Sequence, residues 1–246
     1  MKTLAKAVAI SSLVLAGSQV MAEDVGQGFD VSANVGVVSD YVFRGLSQSN
    51  GNTAIQGGID VKHASGVYAG TWLSSLSGNS SAAVGNAEQD LYVGYGYKLN
   101  DDVSFDLRVT QFDYINASTA NYYETHASAT FYNITLGTDY SNNIQGTGDN
   151  SAKVTDNNAI HYYGSYTYTF PMEIVGTATI GHVDLHDKNI LLTAEDSYNY
   201  WNLGVSKKLV GINWGVSYNN NNISIKECGG SNMCDSTWVF SANKSL

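Results

Sequence analysis

The chain has 246 residues, a formal net charge of −10, and 14% charged side chains against 43% hydrophobic ones. Such an acidic balance excludes the basic face that nucleic acid requires, and the charge content falls well below the ~25% of ordinary soluble domains. Tyr, Gly, Asn, Ser and Thr fill the gap, with 17 Tyr, 25 Gly and a single Pro.

The N-terminus reads MKTLAKAVAISSLVLAGSQVMA. Lys2 and Lys6 give a positive leader, and the apolar run Ala7–Gly17 is too short to cross a bilayer. Small or apolar residues at Val20, Met21 and Ala22 complete a secretory signal, so residues 1–22 are expected to be cleaved before Glu23. Residues 23–246 are left as one domain. No later segment carries the ~18 consecutive apolar residues of a membrane helix.

From there, period-two alternation predicts about twelve strands. They run over Phe29–Leu46, Ala54–His63, Val67–Ser77, Glu88–Leu99, Val103–Ile115 and Asn121–Tyr132. The rest run over Ile134–Asn142, Asn158–Phe170, Glu173–Leu185, Ser197–Leu209, Gly211–Ile223 and Thr237–Leu246. Most exceed the usual five or six residues of globular sheets. Long polar connections alternate with tight turns down the whole chain. A sandwich has no reason for that alternation, whereas a transmembrane barrel places short turns in the periplasm and long loops outside. The expected fold is therefore all-β, an antiparallel transmembrane β-barrel in the bacterial outer membrane.

Sidedness supports the same fold. Ile55, Ile59 and Val61 alternate with Gln56, Asp60 and Lys62, and Phe105, Leu107 and Val109 with Asp106, Arg108 and Thr110. The apolar set would face lipid and the polar set the lumen. In Glu173–Leu185 the parity is ambiguous. In SDYVFRGLSQSNGN the same parity, counted on from Val31, puts Tyr41 and Phe43 outside and Asp40 and Arg44 inside. The expected pore lining is Asp40, Arg44, Asp60, Lys62, Asp90, Lys98, Asp106, Arg108, Glu124 and His126, with constriction from Arg44, Arg108, Trp72 and Tyr92. Tyr41, Phe43, Tyr95, Tyr97, Trp214 and Trp238 are expected in an aromatic girdle at the membrane interface. Twelve strands ~4.8 Å apart and tilted ~40° close to a diameter of about 24 Å, which leaves a bore on the order of 10 Å if the lining is small.

Cys228 and Cys234 lie six apart in CGGSNMC and are expected to form a disulfide that staples one long loop. No third ligand accompanies them for a metal. The histidines are His63, His126, His161, His182 and His186; none sits in a serine motif, and Asp184, His186 and Asp187 read as a solvated loop. No catalytic residue, metal site or cofactor is expected. The expected function is passive diffusion of small polar solutes. The alternatives are a closed barrel acting through its loops as an adhesin or structural protein, and, behind it, an outer-membrane enzyme. Expected partners are outer-membrane lipid, periplasmic chaperones and the barrel-assembly machinery during biogenesis, and the permeating solutes. The chain is taken as a monomer.

The stretch NVGVVSDYVFRGLSQSNGNTAIQGGIDVKHASGVYAGTW, Asn34–Trp72, resembles the opening of the TorF-like porin family. EQDLYVGYGY (Glu88–Tyr97), YNYWNLGVSKKL (Tyr198–Leu209) and FSANKSL (Phe240–Leu246) look like later blocks of that family. The resemblance implies an outer-membrane β-barrel with a diffusion role and brings no catalytic residues. The chain departs from the family in ending on Leu246 rather than an aromatic, and in carrying FDYINAS (Phe112–Ser118) where a Tyr-Pro-Gly turn is common.

Overall fold

The structure is a computed structural model that describes residues 23–77, 85–142, 158–186, 195–228 and 232–246. The expected signal peptide lies outside the described residues. Among the described residues there are fifteen strands: β1 Glu23–Gly26, β2 Phe29–Val38, β3 Val42–Phe43, β4 Leu46–Ser47, β5 Ala54–His63, β6 Val67–Ser75, β7 Ala87–Lys98 and β8 Val103–Ile115. They continue with β9 Tyr122–Phe131, β10 Ile134–Asn142, β11 Ala159–Phe170, β12 Ile174–Leu185, β13 Ser197–Leu209, β14 Ile212–Asn221 and β15 Thr237–Ser245.

Strands β5 to β15 pair antiparallel in chain order, and β2 sits between β15 and β5. The result is a closed twelve-stranded barrel. The closing seam is shared. β15 covers β2 from Asn34 to Val38, and β1 covers the remainder through Glu23↔Val31 and Gly26↔Phe29. The Leu246 N–H donates to the Ala33 carbonyl at 2.8 Å. Together β1 and the chain end occupy a β2 edge that would otherwise present unpaired backbone groups.

Tight turns at 64–66, 99–102, 132–133, 171–173 and 210–211 gather at one end of the barrel. The long connections gather at the other. In the 210–211 turn, Val210 and Gly211 both take positive φ, 53° and 78°. Two left-handed residues give the twist that a two-residue hairpin needs.

The outer face is apolar. Ile55, Leu107, Leu136, Ile180, Trp238 and Phe240 are all more than half exposed. The strand with ambiguous alternation is settled by its partners. Val183 pairs with His161 and both are buried, whereas Ile180, His182 and Asp184 face outward.

The inner face explains the Tyr and Gly content. Tyr68 lies opposite Gly94, Tyr92 opposite Gly70, Tyr163 opposite Gly137 and Tyr200 opposite Gly181 on neighbouring strands. A Cβ on any of these glycines would stand 2.3–2.6 Å from the tyrosine ring. Each ring is thus laid flat against the wall across a strand that has no side chain, and the lumen is left free of it.

One strand differs from expectation. Phe29–Leu46 does not run through: β2 ends at Val38, and residues 39–53 leave the wall and fold inward as a loop carrying the β3–β4 hairpin. Parity cannot be counted across that break.

Candidate functional site

The inward loop is built on Asp40. Its carboxylate accepts hydrogen bonds from Ser47 Oγ (2.5 Å), Ser49 Oγ (2.9 Å) and the Gly51 N–H (3.3 Å). The Tyr41 N–H donates to Ser49 Oγ at 2.8 Å. These contacts bend the chain back and pair Val42 with Ser47 and Phe43 with Leu46. Arg44 and Gly45 form the tip at φ 49° and 80°, the same two-residue turn chemistry as at 210–211.

The tip is latched to the far wall. Arg44 donates from both terminal nitrogens to Glu124 on β9, at 2.9 and 2.8 Å. It also lies 3.1 Å from Asp139 on β10. Such a two-pronged guanidinium–carboxylate pair is among the strongest protein contacts. Its acceptors are themselves fixed. Ser141 Oγ donates to Glu124 at 2.6 Å, and Asp139 accepts from His126 Nδ1 (2.6 Å) and His161 Nδ1 (2.7 Å). His161 Nε2 meets the Tyr200 hydroxyl at 2.9 Å. The arginine is nearly dry, with 7% of its side chain exposed. On the other flank, the Tyr41 hydroxyl donates to Glu88 on β7 at 2.8 Å, and its ring stands 5.4 Å from that of Trp72.

A second long loop lies on the hairpin. Leu46 packs in one apolar cluster with Ile223, Cys228, Cys234, Tyr198 and Leu185. Cys228 and Cys234 form the expected disulfide, with Cα atoms 6.2 Å apart. Asn221 Nδ2 donates both to the Gly45 carbonyl (2.7 Å) and to the Cys234 carbonyl (2.9 Å). One side chain therefore ties the hairpin tip to the stapled loop.

Toward the tight-turn end the lining changes. Ser104, Ser128, Thr130, Ser165, Thr177, Thr179, Asn202 and Ser217 face inward and are partly exposed. Tyr68 donates to Asp106 and Tyr92 to Asp60. The Arg108 guanidinium lies 6.0 Å from the Tyr92 ring centre.

The expected lumen residues separate into four groups. Arg44, Glu124 and His126 join the latch, Asp40 holds the hairpin together, and Asp60, Asp90, Asp106 and Arg108 point inward from β5, β7 and β8. Lys62 and Lys98 are exposed at the tight-turn end, and Lys98 pairs with Asp101 at 2.8 Å. Of the expected girdle, Tyr95, Tyr97, Trp214 and Trp238 lie exposed on the outer face. Tyr41 and Phe43 do not. Tyr41 is 6% exposed inside the barrel, and the Phe43 ring stands 6.2 Å from Phe112 on the inner face. The Asp40 bonds and the left-handed tip carried both rings inward. Glu88, His161, Tyr200 and Asn221 were absent from the expected site. All four sit at inward parity on their strands, but nothing in the sequence pairs them with a loop far away in the chain.

The fold is thus a closed antiparallel barrel, apolar outside and polar within, entered at one end by an inward loop. The chain belongs to the Gcw_chp family, described as a bacterial protein of unknown function, which it matches over residues 22–246. No curated protein matches it. Among solved structures, its fold is similar to the NanC porin, with TM-score 0.57, 12% identity, and coverage of 87% of this chain and 97% of that one. It is also similar to the KdgM porin, with TM-score 0.53, 11% identity, and coverage of 87% and 99%.

Proposed function

We propose that this protein is a diffusion channel of the bacterial outer membrane, passing small polar solutes through a lumen narrowed by the Arg44 hairpin. The observation that carries this is the contrast across the wall. A continuous apolar outer face encloses a tight-turn half lined by Ser, Thr, Asn and flattened Tyr. Lipid is the solvent that such an exterior needs, and water the one that such an interior needs. The TorF-like resemblance of Asn34–Trp72 and the porin folds support the same reading. In it, the long loops face the cell exterior and the tight turns the periplasm. The barrel works as a monomer in outer-membrane lipid, delivered by periplasmic chaperones and the assembly machinery. It has no catalytic role.

One observation favours a second reading, a closed barrel acting through its loops. The loop-end half holds a packed apolar cluster that runs from Leu46 to Cys234. Purified protein in a planar bilayer separates the two. Stepwise potassium chloride currents, with swelling of liposomes in neutral sugars, support the channel. A barrel that inserts and carries no current supports the closed form.

A further inference from the structure

The outer face is not evenly filled. Across β13, β14, β15 and β2, Lys207, Trp214, Ala242 and Val37 form one row of paired residues. Val205, Val216 and Phe240 form the next row. Trp214 and Phe240 stand up on one diagonal of this patch, 50% and 62% exposed, while Val216 and Ala242 lie low on the other. They leave an apolar groove of about 750 Å³ on the outside of the wall. Ile174 and Lys207 bound it toward the tight turns.

Charge on the outer face is uneven too. Of the lysines and arginines on the described strands, Lys207 and Lys244 alone face outward; Lys62, Lys98, Arg108 and Lys208 are on the inner face. Both outward lysines lie near the tight-turn end, on β13 and β15 with β14 between them. Strands ~4.8 Å apart put these two about 10 Å from each other, and two long side chains can converge on one phosphate. Among the described residues no carboxylate pairs with either ammonium, although Glu173 lies on the turn beside Ile174. A lysine on a lipid face is costly at mid-depth and nearly free at the interface. Two of them at one rim, at the end of an apolar groove, suit a molecule with a hydrocarbon chain and an anionic head.

We propose that this patch is a site for an anionic phospholipid, with an acyl chain in the groove and the headgroup phosphate at Lys207 and Lys244. The site rests on the reading above of a lipid-facing wall with its tight turns at the periplasmic rim, so the test reads lipid contact without current.

Trp214 lines the groove and is the reporter. A W201F/W238F background removes the other outward tryptophans, and Trp72 is buried inside the barrel. The protein is reconstituted in phosphatidylcholine vesicles with rising fractions of chain-brominated phosphatidylglycerol or chain-brominated phosphatidylcholine. Quenching of Trp214 then gives the relative association constant of the two lipids. Phosphatidylglycerol should be favoured about fivefold, the weight of one lysine near an anionic headgroup. Lys207→Gln should bring the ratio toward one. If that variant fails to give the heat-modifiable barrel on a gel, Lys244→Gln serves in its place and should act in the same direction. Lys208→Gln makes the same charge change on the inner face of β13 and should leave the ratio unaltered. A W214F/W238F background, in which Trp201 reports from the loop end, should show no preference.

A ratio near one in the parent, an equal loss in Lys208→Gln (net charge only), or an equal preference at Trp201 (adsorption over the whole wall) each overturn the site. So does inorganic phosphate that lowers the ratio more than potassium chloride of the same ionic strength, which would leave a phosphate site only. Quenching of Trp214 by neither lipid removes the lipid-facing wall, and the channel with it. A lipid preference in a barrel that carries no current keeps the site and removes the channel. A barrel that conducts without the preference removes the site alone.

Discussion

The two halves of the lumen follow different rules. At the loop end, Leu46, Phe112, Tyr122, Val183, Leu185 and Tyr198 pack into a buried cluster around a nearly dry ion pair. At the tight-turn end, hydroxyl and amide groups line the wall between charges such as Asp60 and Lys62, bonded to each other where they meet, as Ser165 with Thr179 at 3.0 Å and Thr130 with Thr135 at 2.9 Å. The first half resembles the core of a soluble domain and the second a wetted surface. The strands are the same in both. What differs is the hairpin of residues 39–53, which brings its own apolar and charged groups into one half. The crowding of that half is therefore a property of a loop rather than of the strands.

The largest effect should follow from removing that loop. Replacing residues 42–47 by a short Gly-Ser link should raise single-channel conductance several-fold, because it deletes the tip and both flanks at once. An unaltered conductance would place the constriction in the wall and make the two halves alike. Next comes Arg44→Ala. Glu124 and Asp139 would be left buried without their counter-charge, a class of change that costs roughly 3–5 kcal/mol. The heat-modifiability midpoint should fall markedly, and conductance should rise by less than in the excised variant, since Tyr41 and Asn221 still hold the hairpin. A smaller effect is expected for Cys228→Ser with Cys234→Ser. Closing so short a loop contributes about 2–3 kcal/mol at most. The barrel should still fold, and the loss should appear as added current noise, because the stapled loop shares Asn221 with the hairpin tip. Quiet, unaltered traces would detach that loop from the constriction.

The barrel was legible because its signal is repeated. Each strand alternates on its own, and the long–short rhythm of the connections makes the ends distinguishable even where one strand, Glu173–Leu185, is unreadable. The disulfide was legible because both partners sit in one short loop. The hairpin was not. Its residues Val42 and Phe43 alternate as well as any wall residue, so local pattern extended the strand past Val38. The signals that oppose this are weak ones: Gly45 behind a charged residue, and Ser47 and Ser49 spaced to bond Asp40. The latch depends on contacts such as Arg44 to Glu124, 80 positions apart, which period-two reasoning cannot supply. Inward parity named Arg44, Glu124 and His126 singly, without their association.

The smallest expected effect lies at the tight-turn end, and it tests whether that half is wet. Lys62 is exposed there on the inner face. Lys98 is less free, since its ammonium pairs with Asp101 on the adjoining turn at 2.8 Å, with 51% and 92% of the two side chains exposed. A charge in open water acts over about 10 Å at 0.1 M salt and about 3 Å at 1 M. Lys62→Gln should therefore shift the reversal potential slightly toward cations under a dilute potassium chloride gradient, and Lys98→Gln less, because the Lys98 charge is already offset by Asp101 on the turn. Both shifts should vanish when the same ratio of concentrations is centred near 1 M. Arg44→Ala should keep its effect on conductance there, because a dry pair is not screened. A Lys62→Gln shift that survives high salt would mean that the tight-turn half is as narrow and as dry as the other, and the division of the lumen into two halves would fail.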